Sequence, residues 1–374
     1  MKSPLSQAQL GVYYACETSV SDEVNYQNPF VYALPDNVDL ERLQNAVLAT
    51  LKAHPYMCGH IEPDDEGMPM MVTGDTPLVR KIELSEQEWE EAQKTFARTM
   101  DIHGERLYRA EIYTIKKTNS TPENYLYLDI HHVISDGFSH AVLARNISRA
   151  YNGEPLSAEL LDGTAIAQDE AAQRADDALM SEAREWYAHE FSDAAETDSL
   201  PIPLAQQALN PAPVNIYKTY SLSVTKEDVH TIEQRFGVKE SVIMQTAWSL
   251  LLAAYSAEEK ASYCTVFYGR SDRRTRDAVT MMVHTLPVFA NWSDRSSLMT
   301  LQELLSALDE QMQQTRKYMY YAYQDAVKDL GLNNQVMFVH QGRVVDKMRY
   351  LHLGDDEIPL TDLRKPIPGW KLSV

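Results

Sequence analysis

The sequence predicts a mixed α/β protein, and three observations carry that expectation. Apolar residues recur at helical spacing in some segments and at every second position in others. The two kinds of segment interleave along all 374 residues. The composition, 44% hydrophobic and 24% charged, is that of an ordinary folded chain, and the length allows about two domains.

The elements follow in order. "NPFVYAL" reads as a short strand. "VDLERLQNAVLATLKAH" places Leu40, Leu43, Val47 and Leu51 on one helical face, with Asp39 as N-cap and Pro55 as terminator. "RLYRAEIYTI" and "ENYLYLDIHH" alternate as consecutive strands joined by the polar "KKTNSTP". "DGFSHAVLARNISRAYNG" then reads as a helix that stops near Asn152 and Gly153. After a stretch rich in helix formers, "SDAAETDSLPIPLAQQALNPAPV" carries four prolines and marks the best boundary between two halves. The expected division is 1–175, a connection over 176–210, and 211–374.

The second half restarts with "NIYKTYSLSV" as a strand. "TKEDVHTIEQRFGV" follows as a helix capped by Thr225 with Asp228 three residues on, and stopped by Gly237. The apolar helix "SVIMQTAWSLLLAAY" leads into the strand "SYCTVFYG". "HTLPVFAN", "NQVMFVHQG" and "RYLHL" are further strands.

The bulk numbers exclude several functions. A net charge of −20 argues against nucleic acid as partner, because that affinity comes from clustered Lys and Arg. Cys16, Cys58 and Cys264 are widely spaced and odd in number, which fits neither a disulfide framework nor a zinc site. "MKSPLSQAQLGVYY" lacks the apolar core of a secretory signal. No apolar run reaches the ~20 residues that span a bilayer. The expectation is a cytoplasmic protein with no membrane partner.

The chemistry gathers in "YLYLDIHHVISDGFSH", residues 125–140. In an extended run Leu126, Leu128, Ile130 and His132 share one face, and Tyr125, Tyr127, Asp129 and His131 the other. If the strand continues to 132, His132 leaves an apolar face where desolvation keeps the imidazole neutral, a usable general base. His131 then sits among tyrosines and an aspartate that fix it by hydrogen bonds. Rings on divergent faces make a poor metal site. The bland reading, two satisfied structural histidines, is the usual one for histidines taken at random. Ser135 lacks the Gly-x-Ser-x-Gly elbow of a hydrolase. "GRSDRRTR" at 269–276 suits either a phosphate or a solvated loop, and "YMYYAY" at 318–323 suits packing.

"IHHVISDGFS" resembles the core motif of condensation domains of nonribosomal peptide synthetases, within the chloramphenicol acetyltransferase-like superfamily. The resemblance extends in order along the chain. "LSQAQLGVYYA" is similar to the family's first motif through Ser6, Ala8 and Gln9. "LKAHPYMCGHIE" is similar to the second, with Ala53 where an arginine is usual. "QTAWSLLLAAYSAEEKASYCTVFYGR" leads to the family arginine, Arg270, and "MMVHTLPVFANW" has His284 in place of an asparagine. "YQDAVKDLG" and "QVMFVHQG" match the late motifs.

The resemblance implies two acetyltransferase-like lobes in a V with a tunnel between them. It implies that His132 is catalytic, with His131 supporting it, and that Asp136 pairs with Arg270 across the lobes in a structural role. Gly137, with Ser135 and His284, falls where the substrate arm approaches. The implied reaction joins a carrier-bound acyl donor to an aminoacyl acceptor as an amide. The implied partners are donor and acceptor peptidyl carrier proteins, which supply phosphopantetheine arms, and an adjacent adenylation domain. No intrinsic cofactor or metal is implied. A stand-alone coenzyme A-dependent acyltransferase, an epimerisation-type relative and a non-catalytic carrier-docking module are the alternatives, the last kept open by Ala53 and His284. The chain stops at "IPGWKLSV", tens of residues before the family's usual end, so the second lobe is expected to be truncated.

Overall fold

A computed structural model of the chain describes residues 2–18, 26–94, 96, 99–104, 106–118, 120–157, 159–195, 197, 218–293, 299–332, 336–340, 350–362 and 372–373. Most of the predicted boundary stretch therefore lies outside the described residues. The chain divides into two compact units, each described by itself. One takes the residues up to Ala172 and Arg270–Val283, together with the strand pair near residues 350–362; the other takes Gln173–Gly269 and the described residues from His284 to His340 and at 372–373.

In the first unit, helix α1 (Gln7–Thr18) follows strand β1 (Lys2–Pro4) and precedes β2 (Gln27–Leu34). Helix α2 (Leu40–Ala53) is capped by Asp39, whose carboxylate accepts from Glu41 N and Arg42 N. Its buried Leu43, Ala46, Val47, Thr50 and Leu51 form the predicted apolar stripe. Strands β3 (His60–Pro63), β4 (Pro69–Val72) and β5 (Arg80–Ser85) come next, then α3 (Glu86–Lys94), β6 (Tyr108–Lys116), β7 (Glu123–His131), α4 (Gly137–Tyr151) and α5 (Gly163–Arg174). Among the described residues the principal sheet has six strands. β7 lies between β2 and β6, antiparallel to both, while β5 joins β6 in parallel. The late hairpin, named below, extends the β2 edge. β1, β4 and β3 form a separate antiparallel sheet.

Alternation along β7 separates two cores. Leu126, Leu128 and Ile130 belong to the large cluster with α2 and α4, while Tyr125 and Tyr127 pack with Trp89 and Phe96 under α3.

The second unit holds α6 (Asp177–Glu190), α7 (Lys226–Phe236), α8 (Glu240–Ser256), β8 (Lys260–Phe267), β9 (His284–Asn291), α9 (Leu301–Lys317), α10 (Tyr323–Leu330), β10 (Val336–Phe338) and the short β13 (Leu372–Ser373). The remaining strands, β11 (Tyr350–Leu353) and β12 (Asp356–Asp362), make the hairpin of the first unit's sheet. The second sheet is mixed, in the order β13-β10-β8-β9. The cap of α7 is as predicted: Thr225 and Asp228 satisfy each other, and Gly237 closes the helix at φ 70°. Tyr318, Tyr320 and Tyr321 of the aromatic run pack against α6 through Tyr187 and Phe191.

One expected strand is not formed by its described residues. Residues 218–224 of "NIYKTYSLSV" form no strand, and Tyr220, Leu222 and Val224 are exposed. Their alternation satisfies the pattern, but a strand also needs a ladder partner for its N–H and C=O groups.

Candidate active site

β7 ends at His131 because the chain turns there on its own side chains. His131 Nδ1 accepts from Val133 N at 3.1 Å, which opens a 3-10 turn at His132–Ile134. Ser135 Oγ donates back to His131 O at 3.1 Å. Asp136 then caps α4 in a box: Asp136 Oδ1 accepts from Ser139 N at 2.9 Å, and Asp136 N donates to Ser139 Oγ at 3.2 Å. Two strand-to-turn bonds hold the doubled histidine, His131 N to Leu107 O at 2.9 Å and His132 N to Tyr26 O at 2.6 Å.

The strand stops one residue before the alternation argument requires, and this corrects the environments expected for the two rings. His132, on the 3-10 turn, is half-buried, whereas His131 is buried. Desolvation, followed by the neighbouring His132, pushes the His131 pKa down to about 3, so His131 is the ring kept neutral by burial. With Nδ1 accepting, the neutral ring carries its proton on Nε2, which faces Cys16 Sγ at 3.8 Å. Burial, reinforced by Glu17, pushes that thiol up to about 11, so it stays a thiol. The expected tyrosine and aspartate partners of His131 are not the ones it has. Asp129 instead holds Arg109 at 3.1 Å.

The turn is braced from α1. Gln9 is buried; its Nε2 donates to Val133 O at 2.8 Å, and its Oε1 accepts from Ser6 N and from Tyr56 OH, each at 3.0 Å. Gln9 and Ser6 were visible as motif residues, but this role was not. Tyr56, fully buried, lies in turn against Gly163, where an added Cβ would come within 2.4 Å of its ring.

The predicted Asp136–Arg270 pair is present. Arg270 Nη1 lies 2.5 Å from Asp136 Oδ2, and both side chains are buried, at 5% and 0% exposure. The same oxygen accepts from Met282 N at 3.0 Å. Burial alone would raise the Asp136 carboxyl, but Arg270 and the bonds from Ser139 and Met282 outweigh it and hold the group below the usual carboxylate range. Arg270 also donates to Ala278 O at 3.2 Å, stacks over Phe138 at 5.2 Å, and belongs to the same compact unit as Asp136. The pair thus lies within one unit, in place of the expected link between two.

Segment 270–283 is anchored elsewhere too. Thr280 O accepts from Ser139 Oγ at 2.9 Å, and Val279 N donates to Glu159 Oε1 at 2.7 Å. Glu159 lies 2.9 Å from Nδ1 of the fully buried His54, whose Nε2 meets Asn146 Nδ2 at 2.8 Å. In the sequence His54 stands out only as part of "LKAHPYMCGHIE". A signal for the Asp136 cap was available in the Asp-x-x-Ser spacing.

Of the other predicted positions, Gly137 is the first residue of α4 and half-buried, and Ser135 is fully buried with its hydroxyl spent on the turn. His284 opens β9 opposite Phe267 in the second unit, and burial pushes its pKa down to about 4. In "GRSDRRTR", Arg273 and Arg276 are exposed and Arg274 pairs with Asp272 at 2.6 Å. Among the described residues no cluster of His, Cys, Asp and Glu could hold a metal ion, and no helix is long and apolar enough to cross a membrane.

A half-buried imidazole on a turn fixed by α1, β2, β6 and α4 can accept or orient a proton without moving its backbone. A family model described as a condensation domain matches residues 1–346. Surfactin synthase subunit 2 of Bacillus subtilis (strain 168) is 23% identical over 337 residues, covering 88% of this chain and 9% of that protein. Bacitracin synthase 1 of Bacillus licheniformis is 22% identical over 333 residues, covering 89% and 6%. The chain thus spans less than a tenth of the length of these curated relatives. Among solved structures, the first condensation domain of the CDA synthetase superposes with a TM-score of 0.69 at 17% identity, covering 97% of this chain and 86% of that one. The condensation domain of the monacolin K polyketide synthase gives 0.74 at 14% identity, covering 100% and 89%. Those identities speak for the fold, and the family match extends from the N-terminus past every candidate residue: the chain belongs to the condensation-domain family.

Proposed function

We propose that this chain catalyses amide-bond formation, in which the amine of an aminoacyl acceptor attacks the thioester carbonyl of an acyl donor. The observation that carries the reading is the condensation-domain match over residues 1–346, which includes His131, His132, Asp136 and Arg270. The substrates are presented as thioesters on the phosphopantetheine arms of donor and acceptor carrier proteins, next to an adenylation domain in a cytoplasmic synthetase. Aligning two tethered reactants removes a large part of the barrier.

Within that reading His132 takes or orients the amine proton, on a turn that Gln9 and the Asp136 cap keep still. Asp136 and Arg270 are structural: the buried carboxylate is bonded at both oxygens, by Ser139 N on one and by Arg270 and Met282 N on the other, and is held below the usual carboxylate range, which makes it a poor acceptor for a proton in flight. Gly137, Ser135 and His284 flank the approach of the arms.

The test is condensation of carrier-bound aminoacyl thioesters by the His132→Ala variant. The expected outcome is loss of the dipeptidyl product with the far-ultraviolet spectrum and melting temperature unchanged. Near-normal product from the folded variant overturns the role of His132. Turnover of free acyl-coenzyme A at a rate equal to the carrier-bound donor overturns the carrier-dependent reading.

A further inference from the structure

Helix α1 and the turn of the two histidines belong to the same compact unit, and α1 reaches that turn through more than one side chain. Gln9, Val12 and Cys16 stand three and four residues apart, so they share one face of α1, and Gln9 and Val12 are buried. Gln9 Nε2 donates to Val133 O at 2.8 Å, and Cys16 Sγ lies 3.8 Å from His131 Nε2. The other nitrogen of that ring accepts from Val133 N at 3.1 Å. α1 thus reaches both backbone polar groups of Val133, the carbonyl directly and the amide through the His131 ring. Seven residues of helix separate the two contacts by about 10 Å, so together they fix an angle as well as a position.

The thiol also stands beside Tyr26. Burial, and after it Cys16, pushes the Tyr26 phenol above its ordinary pKa. Tyr26 O accepts from His132 N at 2.6 Å. Cys16 therefore adjoins both residues whose bonds hold the His132 backbone in the turn, Tyr26 at its own amide and His131 at the next. A thiol beside an imidazole can be an activated nucleophile, but that needs a thiolate facing an imidazolium. Here burial moves both groups the other way, His131 down to about 3 and Cys16 up to about 11. What remains is the neutral contact, in which sulfur accepts from the ring's Nε2–H.

We propose that Cys16 is a positioning residue for the reaction. Its sulfur holds the His131 ring, the ring holds the Val133 amide, and the amide sets the turn from which the His132 imidazole works. His131 is buried, so an Nε2–H that loses this acceptor favours ring rotamers that find another, and those release Val133 N. The part played in catalysis rests on the amide-forming reading of His132; the contact itself does not.

The experiment compares Cys16→Ala, Cys16→Val and Cys16→Ser in the full chain, each shown to be folded by its melting curve. With carrier-bound aminoacyl thioesters, Cys16→Ala and Cys16→Val are expected to lower kcat by about 3–10-fold with KM unchanged. Cys16→Ser keeps an acceptor in that place and is expected between them and the parent. Packing alone predicts the reverse order, because valine fills the volume and stays apolar whereas serine does neither. NMR of the imidazole protons gives a readout without substrate: the His131 Nε2–H should exchange with solvent more slowly in the parent than in Cys16→Ala. A kcat of Cys16→Val at or above that of Cys16→Ser overturns the proposal, and so does equally fast exchange of that proton in the folded parent and Cys16→Ala. An acyl adduct on Cys16 in the intact mass after turnover also overturns it, by making the thiol a nucleophile. Lack of amide product from the parent overturns the catalytic part together with the proposed function, and the proton exchange then decides the contact by itself.

Discussion

At the scale of single residues, the doubled histidine assigns different burdens to the two rings. His131 is the buried one, and its ionisation is coupled to folding. Its folded pKa, about 3, is below the ordinary value near 6.5, so the unfolded chain takes up a proton first as pH falls. Stability is therefore lost progressively below pH ~6.5, down to about pH 3. Between pH 7 and pH 5 this ring should remove about 2 kcal/mol. Urea unfolding of the parent and of His131→Gln at both pH values checks it. The gap between them should narrow, or reverse, by that amount, and a constant gap refutes the assignment. His284 adds a second loss that begins in the same window, which the difference cancels. Alternation assigns His131 and His132 to opposite faces only of a strand that runs to residue 132, and β7 stops at 131. It could not show that β7 closes on His131 itself, because that closure depends on the Val133 amide folding back onto a side chain.

At the scale of elements, local signals were legible wherever the element completes itself. The caps at Asp39 and Thr225 and the stop at Gly237 are satisfied by neighbours within three or four residues, and all three were readable. Residues 218–224 carry a strand's alternation without forming one, because a strand is finished by its partner and not by its own pattern. The bracing of the turn was likewise invisible: Gln9 meets Val133 across 124 positions, and Tyr56 meets Gly163 across more than a hundred. That last contact can be tested. In Gly163→Ala the new methyl must displace the ring of Tyr56, which is buried and has nowhere to go. The expected outcome is a loss of about 1–3 kcal/mol in unfolding free energy. Product formation should fall more than the fraction unfolded explains, because the Tyr56–Gln9–Val133 chain loosens with it. Unchanged stability refutes the contact.

At the scale of the whole molecule, the compact units are not successive halves of the sequence. The first recruits Arg270–Val283 from beyond a long stretch of the second, and the late hairpin extends its sheet. A boundary at the Pro-rich stretch is the natural reading of composition, but composition cannot register that a short later segment returns to cap the earlier α4. What returns is specific: Arg270 for the Asp136 carboxylate, Met282 N for the same oxygen, and Val279 N for Glu159. A buried carboxylate deprived of its partner is destabilised by ~3–5 kcal/mol. A fragment ending at residue 175 is therefore expected to unfold without a cooperative transition in urea; a sharp transition equal to that of the full chain refutes this.

The return of 270–283 also sets a rule for recombination. A chimera that exchanges residues 1–175 for those of a relative inherits its charged loop from one parent and the loop's counter-charge from the other. Crossovers that move both pieces together preserve the register of Met282 and Val279 on their acceptors, and a single crossover in the connection does not. The segment to transplant with the histidines is thus a discontinuous one, and its smaller part lies 134 residues downstream of Asp136.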